Sequence, residues 1–494
     1  MIRTLAPDRT AAPDRVPPTG GGAATVEMAA PAAARPRRQP RIGAIAQPVA
    51  GVAALAAIAL GCIGFALAAA ERPSFLAPPT LHGGDPAWLS GPLAGHWPAL
   101  SAAIGTLQWG ATLTLLAMVA LWMLAVACAR SLGVATVLAA VAIAVVALTL
   151  APPFSLTDTF NYLHYGRMDP LYGLNPYVHL PLEASTDPAY VFSTWHHLRS
   201  PYGPLFTVGL QGLAHLGLPA AYWTLKAAVG LAALAVAGLV AVLARDHGRD
   251  PATAVAFTML NPLVLVYGVG GVHNDVFVFA LLLGGAVLAR RRAAALGGGA
   301  WAAAVAIKLS AGLALPFLLL GARRRWHALI GLAVGAVAAG ALVLLAFGGH
   351  LPNDAEQSKL TMSLSPANLL GIALGRGGID PALRRDLSVV LVLGTLALAA
   401  WAWRTRDWTA GAAWAAVLLL LCLGWVMPWY VLWVLPFAAL STRGAPRAAA
   451  IAMTVFLLAI WAPASPPALH RLGAHPGATT TGKVNNRFMH ALLR

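Results

Sequence analysis

Long apolar stretches broken by short polar ones run along most of this chain, and they set the first expectation. Val49–Ala70, Trp109–Ala127, Leu132–Ala151 and Ala328–Phe347 are each close to the ~20 residues that span a ~30 Å hydrocarbon core as a helix. None alternates apolar and polar positions as a barrel strand does. A backbone in lipid must satisfy its own hydrogen bonds, so helices are what remain. The pattern predicts an all-α polytopic integral membrane protein, a bundle of about 11–14 membrane helices, some of them re-entrant.

Residues 1–48 are rich in Ala, Pro, Gly and Arg without periodicity, and are expected to be a disordered cytoplasmic tail. Residues 49–463 form the membrane domain, with outer loops near 71–100, 152–204 and 348–386, and 464–494 read as a polar tail. Two places break a simple alternation of crossings. A full crossing by Leu205–Leu216 would put Arg245 and Arg249 on the wrong side, so a half-helix or re-entrant turn is expected near 205–218. Ala293–Leu320 has three arginines at each flank, Lys308 at its middle and Pro316 beyond. Two short helices entering and leaving on the cytoplasmic side fit it better than one crossing.

Composition agrees with the pattern. The 494 residues are 59% hydrophobic and 10% charged, against about 25% charged in an ordinary soluble chain. The formal charge of +16 raises a nucleic-acid reading, but the arginines stand in the tail and at helix ends. Arg290–Arg292, Arg323–Arg325, Arg404, Arg406, Arg443 and Arg447 follow the positive-inside pattern, which gives no nucleic-acid partner and a cytoplasmic N-terminus. Cys62, Cys128 and Cys422 lie in apolar runs with no metal-type spacing.

Ionisable residues in or beside the membrane are costly and by default mark function. Asp158 opens the large outer loop, Arg199 lies near its end, and His273, Asn274 and Asp275 make an outer turn between two helices. Lys308 sits about fifteen residues from each flank, so roughly 20 Å deep towards the outer leaflet. Trp425, Pro428, Trp429 and Tyr430 make another outer turn. Each has a plainer reading: Asp158 as a helix cap, the 273–275 triplet as a solvated turn, the tryptophans as an interfacial belt. Together they gather at one face. A lone carboxylate suits a general base that takes a proton from an acceptor hydroxyl, and buried cations suit a phosphate leaving group. Glycosyl transfer from a polyprenyl phosphate sugar, reached laterally from lipid, needs both.

The segments TDTFNYLHYGRMDPLYGLNPY (157–177), RSPYGPLF (199–206), NPLVLVYGVGGVHND (261–275), AVAIKLSAGLALPF (304–317), SPANLLG (365–371) and PWYVLWVLP (428–436) resemble the polyprenol-phosphomannose-dependent α-1,6-mannosyltransferases of the GT-C superfamily. The similarity runs from about residue 50 to 463. It implies a GT-C fold in the plasma (inner) membrane, an extracytoplasmic active site, a polyprenyl phosphate mannose donor, a glycan or glycolipid acceptor and inversion at the sugar. Family logic places the catalytic carboxylate at Asp158. From their own positions and chemistry, Lys308 and Arg199 are expected to bind the donor phosphate, His273, Asn274 and Asp275 to contact sugar or phosphate, and Tyr202 and Trp429 to shape the sugar pocket. No Asp-X-Asp pair surrounds residue 158, so a divalent metal is not predicted and no other cofactor follows. The rival readings are a transferase for another lipid-linked sugar and a lipid-linked-sugar flippase or transporter. A transporter's ionisable residues should line a path across the membrane rather than collect at one face.

Overall fold

The computed structural model describes residues 43–71, 76, 86–97, 104–154, 156–353, 355–473 and 475–493. Contacts divide the chain into Met1–Ala44, of which only the first two helical residues are described, and Ile45–Arg494. Of the expected tail, residues 1–42 lie outside the described residues, as does most of 71–100.

The described residues form helices and no strand. In chain order they are α1 (Gly43–Ala70), α2 (Ala87–Ser90), α3 (Ile104–Leu132), α4 (Val134–Thr149), α5 (Asp158–Tyr172), α6 (Pro204–Ala214), α7 (Leu218–Asp246), α8 (Pro251–Met259), α9 (Asp275–Arg290) and α10 (Ala294–Ile307). There follow α11 (Leu315–Gly321), α12 (Arg325–Phe347), α13 (Pro366–Ala373), α14 (Pro381–Thr405), α15 (Trp408–Cys422), α16 (Leu435–Leu440), α17 (Ala445–Trp461), α18 (Ser465–Arg471) and α19 (Thr480–Leu493). Five are long and apolar enough to cross a membrane, or seven spans if two bent pairs count as one each. The chain is a polytopic helical membrane protein. The higher expected number of membrane helices is approached only when the shorter apolar helices of 10–17 residues are included.

Local chemistry starts and stops these helices. Asp250, Ser365, Asp380 and Asp407 each accept a backbone N–H three residues on, and proline follows directly after the first three. Gly173 and Gly348 end α5 and α12 in the left-handed conformation. α8 breaks at Asn261-Pro262, where the Asn261 side chain replaces the lost helical bonds by accepting from Leu263 N–H at 3.0 Å and donating to Thr454 Oγ1 at 3.0 Å. The chain continues, bent by 56°, as a π-helical turn over Leu263–Val269.

The segment flanked by arginines is a broken hairpin. α10 stops at Ile307, Lys308 is extended, a 3-10 turn spans Leu309–Ala314 and α11 returns. The Arg323 N–H donates to the Ala289 carbonyl at 3.2 Å, so the segment leaves and rejoins the bundle at the same level. Trp408–Leu440 does likewise: Ser441 and Thr442 hydroxyls reach Asp407, at the start of α15. α10 has 14 residues, about 21 Å at ~1.5 Å per residue, well short of a ~30 Å core. Near 205–218, α6 has only 11 residues, a half-helix in length.

Arginines gather where these hairpins are rooted. Arg290 reaches the Asp246 carbonyl, and Arg249 and Arg447 share the Ser441 carbonyl. The hairpin helix α10 is clamped to α12 by glycines. A Cβ on Gly298 would collide with the Ala328 carbonyl, and one on Gly331 with the Ala295 carbonyl. Such close backbone approach is the usual device of helix pairs in lipid, where apolar burial gives no drive to association. Replacing Gly331 by leucine should therefore lower stability by about 1–3 kcal/mol, read as a lower melting temperature in detergent. Gly340→Leu, on the same helix but facing open space, should leave it unchanged.

Candidate active site

At the far end of the bundle from the arginines, the tips of both hairpins meet on one carboxylate. Asp275 is the first residue of α9 and 2% exposed. Lys308 Nζ donates to both of its oxygens at 2.9 Å, Trp429 Nε1 to Oδ2 at 3.1 Å and Trp433 Nε1 to Oδ1 at 2.7 Å. Four hydrogen bonds thus converge on this one carboxylate at a helix N-terminus. Extended backbone at Lys308 is what frees its side chain to reach across. The motif around Tyr202 fixes that break. Gly203 N–H donates to the Ile307 carbonyl at 3.0 Å, and a Cβ on Gly203 would collide with the Ala306 carbonyl. The turn before Asp275 carries strain too, with β-branched Val272 at φ 61°.

Beside this cluster lies a cavity of about 640 Å³. Asp158, Tyr162 and Tyr165 of α5 line it, with Trp195, Tyr202, Asn274, Asp275, Lys308, Trp429 and Tyr430. An apolar flank follows, of Leu391 from α14 with Leu419, Leu420 and Leu423. Asp158 is the first residue of α5, and the loop facing it is pinned by Asn161 Oδ1, which accepts from Thr194 N–H at 2.9 Å and Trp195 N–H at 3.3 Å. Burial pushes the Asp158 carboxyl up to about 6, against a downward pull from Asn161, Lys308 and Trp195, and with a further push from the Asp275 charge. The two carboxylates thus differ: Asp275 is saturated, and Asp158 is 16% exposed towards the cavity.

The structure brings most of the expected residues together. Asp158, Asn274, Asp275, Lys308, Tyr202 and Trp429 line one cavity. His273 stands behind it, stacked on Trp429 with ring centroids 3.3 Å apart and its Nδ1 3.5 Å from Asp158 Oδ2. Asp275 and Lys308 spend much of their charge on each other, which leaves Lys308 one N–H for a substrate. Arg199 is not among the lining residues: its Nε donates to the Val178 carbonyl at 2.7 Å within the 173–203 loop. Arg384 of α14 lines the cavity instead. It donates to the Ser358 and Lys359 carbonyls and to Thr361 Oγ1 and has no carboxylate partner among the described residues. In the sequence it stands in the run Arg384-Arg385-Asp386, which reads as a solvated helix start, and only its position one turn past the Asp380 cap hinted at a fixed orientation.

A second wall was not foreseen. The segment expected as a polar tail forms α18 and α19, and Met489 of α19 lines the cavity. Phe488, Met489 and Leu492 pack on Leu198, Leu360, Trp195 and Trp425, and the Leu492 carbonyl accepts from His197 N–H at 3.1 Å. No three His, Cys, Asp or Glu side chains among the described residues form a group that could hold a metal ion.

Residues 48–324 match the family described as Alpha-(1->6)-mannopyranosyltransferase, N-terminal domain, more than half of the chain. This chain belongs to the alpha-(1->6)-mannopyranosyltransferase family. It is 30% identical over 360 residues to Alpha-(1->6)-mannopyranosyltransferase A of Mycobacterium tuberculosis, spanning 64% of this chain and 67% of that protein. The protein of the same name from Corynebacterium glutamicum is 30% identical over 191 residues, 35% of this chain and 36% of its own. A probable alpha-(1->6)-mannopyranosyltransferase of Mycolicibacterium smegmatis is 25% identical over 371 residues, 63% and 66%. No solved structure matches the chain. As a family member the protein is a membrane glycosyltransferase. The matched region includes Asp158, His273, Asp275 and Lys308, whereas Arg384 and Trp429 lie beyond it.

Removing one partner of a buried ion pair leaves the other charge uncompensated. Lys308→Met should therefore destabilise the protein by roughly 3 kcal/mol. Adding Asp275→Asn should recover part of that loss, which thermal unfolding of the two single variants and the double variant measures.

Proposed function

We propose that this glycosyltransferase moves mannose from polyprenyl phosphate mannose to a hydroxyl, the 6-OH of an α-mannan or glycolipid acceptor, with inversion, on the extracytoplasmic face of the inner membrane. The names of the relatives support the sugar and the linkage. The observation that carries the chemistry is the pairing, in one cavity, of an unsaturated carboxylate with a cation whose partners among the described residues are all neutral.

In this reading Asp158 accepts the proton of the acceptor hydroxyl, whose oxygen attacks the anomeric carbon. The bond from that carbon to the phosphate oxygen breaks, and its electrons stay with the polyprenyl phosphate as a second negative charge. Arg384 faces that growing charge without a competing carboxylate, and Lys308 adds its remaining N–H. Stabilisation of this kind counts for most where water is excluded and the donors are already oriented. The leucine flank from α14 and α15 is where the polyprenyl chain enters from lipid. Tyr202 and Trp429 supply faces for the sugar, Asn274 a buried amide that lacks a partner for its Nδ2. His273 works at one remove, its ring wedged between Asp158 and Trp429. A single displacement needs one base and no covalent nucleophile, which gives inversion. Orientation follows from charge: the arginine end faces the cytoplasm with the N-terminus, and the Asp158 end faces outward.

The test is transfer of labelled mannose from polyprenyl phosphate mannose to an α-mannoside by purified protein, with and without chelator. Asp158→Asn should lower the rate by about 10²–10⁴-fold, the usual share of a general base. Near-wild-type turnover would remove its role, and an unchanged rate in chelator would show that no loosely held metal takes part. A base must be deprotonated to work, so with its carboxyl raised to about 6 the wild-type rate should fall about tenfold per pH unit below that point. Arg384→Gln should lower kcat/KM for the donor by about 10²-fold and leave acceptor KM unchanged.

A further inference from the structure

A second basic cleft lies among the roots of the hairpins, far from the cavity that holds Asp158. It encloses about 310 Å³ and is lined by Leu320, Arg325, Ala402, Trp403, Arg406 and Trp408. Two guanidinium groups therefore face one space that no carboxylate lines. The acid next in the chain, Asp407, is occupied elsewhere: its oxygens accept from Thr409, Ala410 N–H, Ser441 and Thr442, and Arg443 Nε is 3.5 Å away. Arg325 gives one N–H to the Leu320 carbonyl at 2.9 Å and keeps the rest of its fork for another acceptor. Arg406 ends α14 at φ 56°, a left-handed conformation that a non-glycine residue rarely adopts.

What surrounds the cleft fixes the kind of ligand. α12 starts and α14 ends there, and these two helices are the least covered of the long apolar helices, with 17% and 11% of their apolar windows buried. Their outward faces carry Ile330, Val334 and Val337 on one and Val392, Leu393 and Leu396 on the other, all exposed. Trp326 and Trp403 are 76% and 69% exposed beside the arginines, the position tryptophan takes at a headgroup boundary. We infer that this cleft binds the phosphate headgroup of an anionic membrane phospholipid, Arg325 and Arg406 taking the phosphate while the acyl chains lie along α12 and α14. Basic clefts between helices at one membrane boundary are suited to such headgroups, and the bare apolar faces on both sides are what a free phosphate ion would have no use for.

Native mass spectrometry of the full chain in detergent tests this, with dioleoyl phosphatidylglycerol and dioleoyl phosphatidylcholine added at equal concentration. At about fivefold per arginine, two arginines predict roughly 25-fold preferential retention of the phosphatidylglycerol. Arg325→Gln/Arg406→Gln should fall to the phosphatidylcholine level, whereas Arg291→Gln, which removes a charge outside the cleft, should keep the preference. Equal retention of the two lipids by the wild type overturns the inference, as does equal loss in Arg291→Gln or full retention in the double variant. Displacement of the lipid by millimolar inorganic phosphate would show a free-phosphate site and also overturn it. The wild-type arms decide the case even where the double variant does not fold.

Discussion

One carboxylate organises the end of the bundle opposite the arginine clusters. Asp275 lies at the start of a helix, buried, and takes hydrogen bonds from Lys308 at the tip of one broken hairpin and from Trp429 and Trp433 at the tip of another. Each of those donors would be costly alone at membrane depth, the lysine most of all. Meeting on one anion they are satisfied together, and the meeting point fixes where two interrupted helices end. Broken helices in lipid persist only where they are buried in protein or line a cavity, and here they do both. The cavity is the space left beside the knot.

The same knot divides the labour between two acids. With Asp275 saturated, the charge of Lys308 is largely answered before any substrate arrives, and a phosphate needs another cation. In the proposed reaction Arg384, held by two carbonyls and a hydroxyl, is that cation. Asp158 meanwhile has no lysine or arginine bound to it, and burial keeps its carboxyl near 6, where it can both take a proton and release it. Asp275 has both oxygens taken by donors and offers none to an acceptor hydroxyl.

Much of this was legible in the chain. Apolar runs of spanning length gave the helical membrane fold, and arginine triplets on both sides of a segment too short to cross twice gave the hairpin with Lys308 at its break. Charges at membrane depth pointed to Asp158, Asp275 and Lys308, because solvation makes such residues expensive wherever they fall. What was not legible depends on which way a side chain turns. Arg199 sits in a telling motif yet spends its Nε on the Val178 carbonyl. Arg384 sits in a plain charge run yet faces the cavity. The tryptophans of 425–433 read as a boundary belt, and only three-dimensional contact shows two indoles donating to one carboxylate. The last segment is polar in composition, so nothing in its average marks Phe488, Met489 and Leu492 as one apolar stripe closing a wall.

In the proposed reaction Asp158 does the chemistry while Asp275 holds the site together. Melting temperature and mannose transfer, measured side by side for Asp158→Asn and Asp275→Asn, test it most directly. Asp158→Asn should melt like the wild type and transfer about 10²–10⁴-fold more slowly, while Asp275→Asn should lose stability and activity together. An Asp158→Asn protein that transfers mannose at the normal rate, or an Asp275→Asn protein that melts like the wild type, would contradict it.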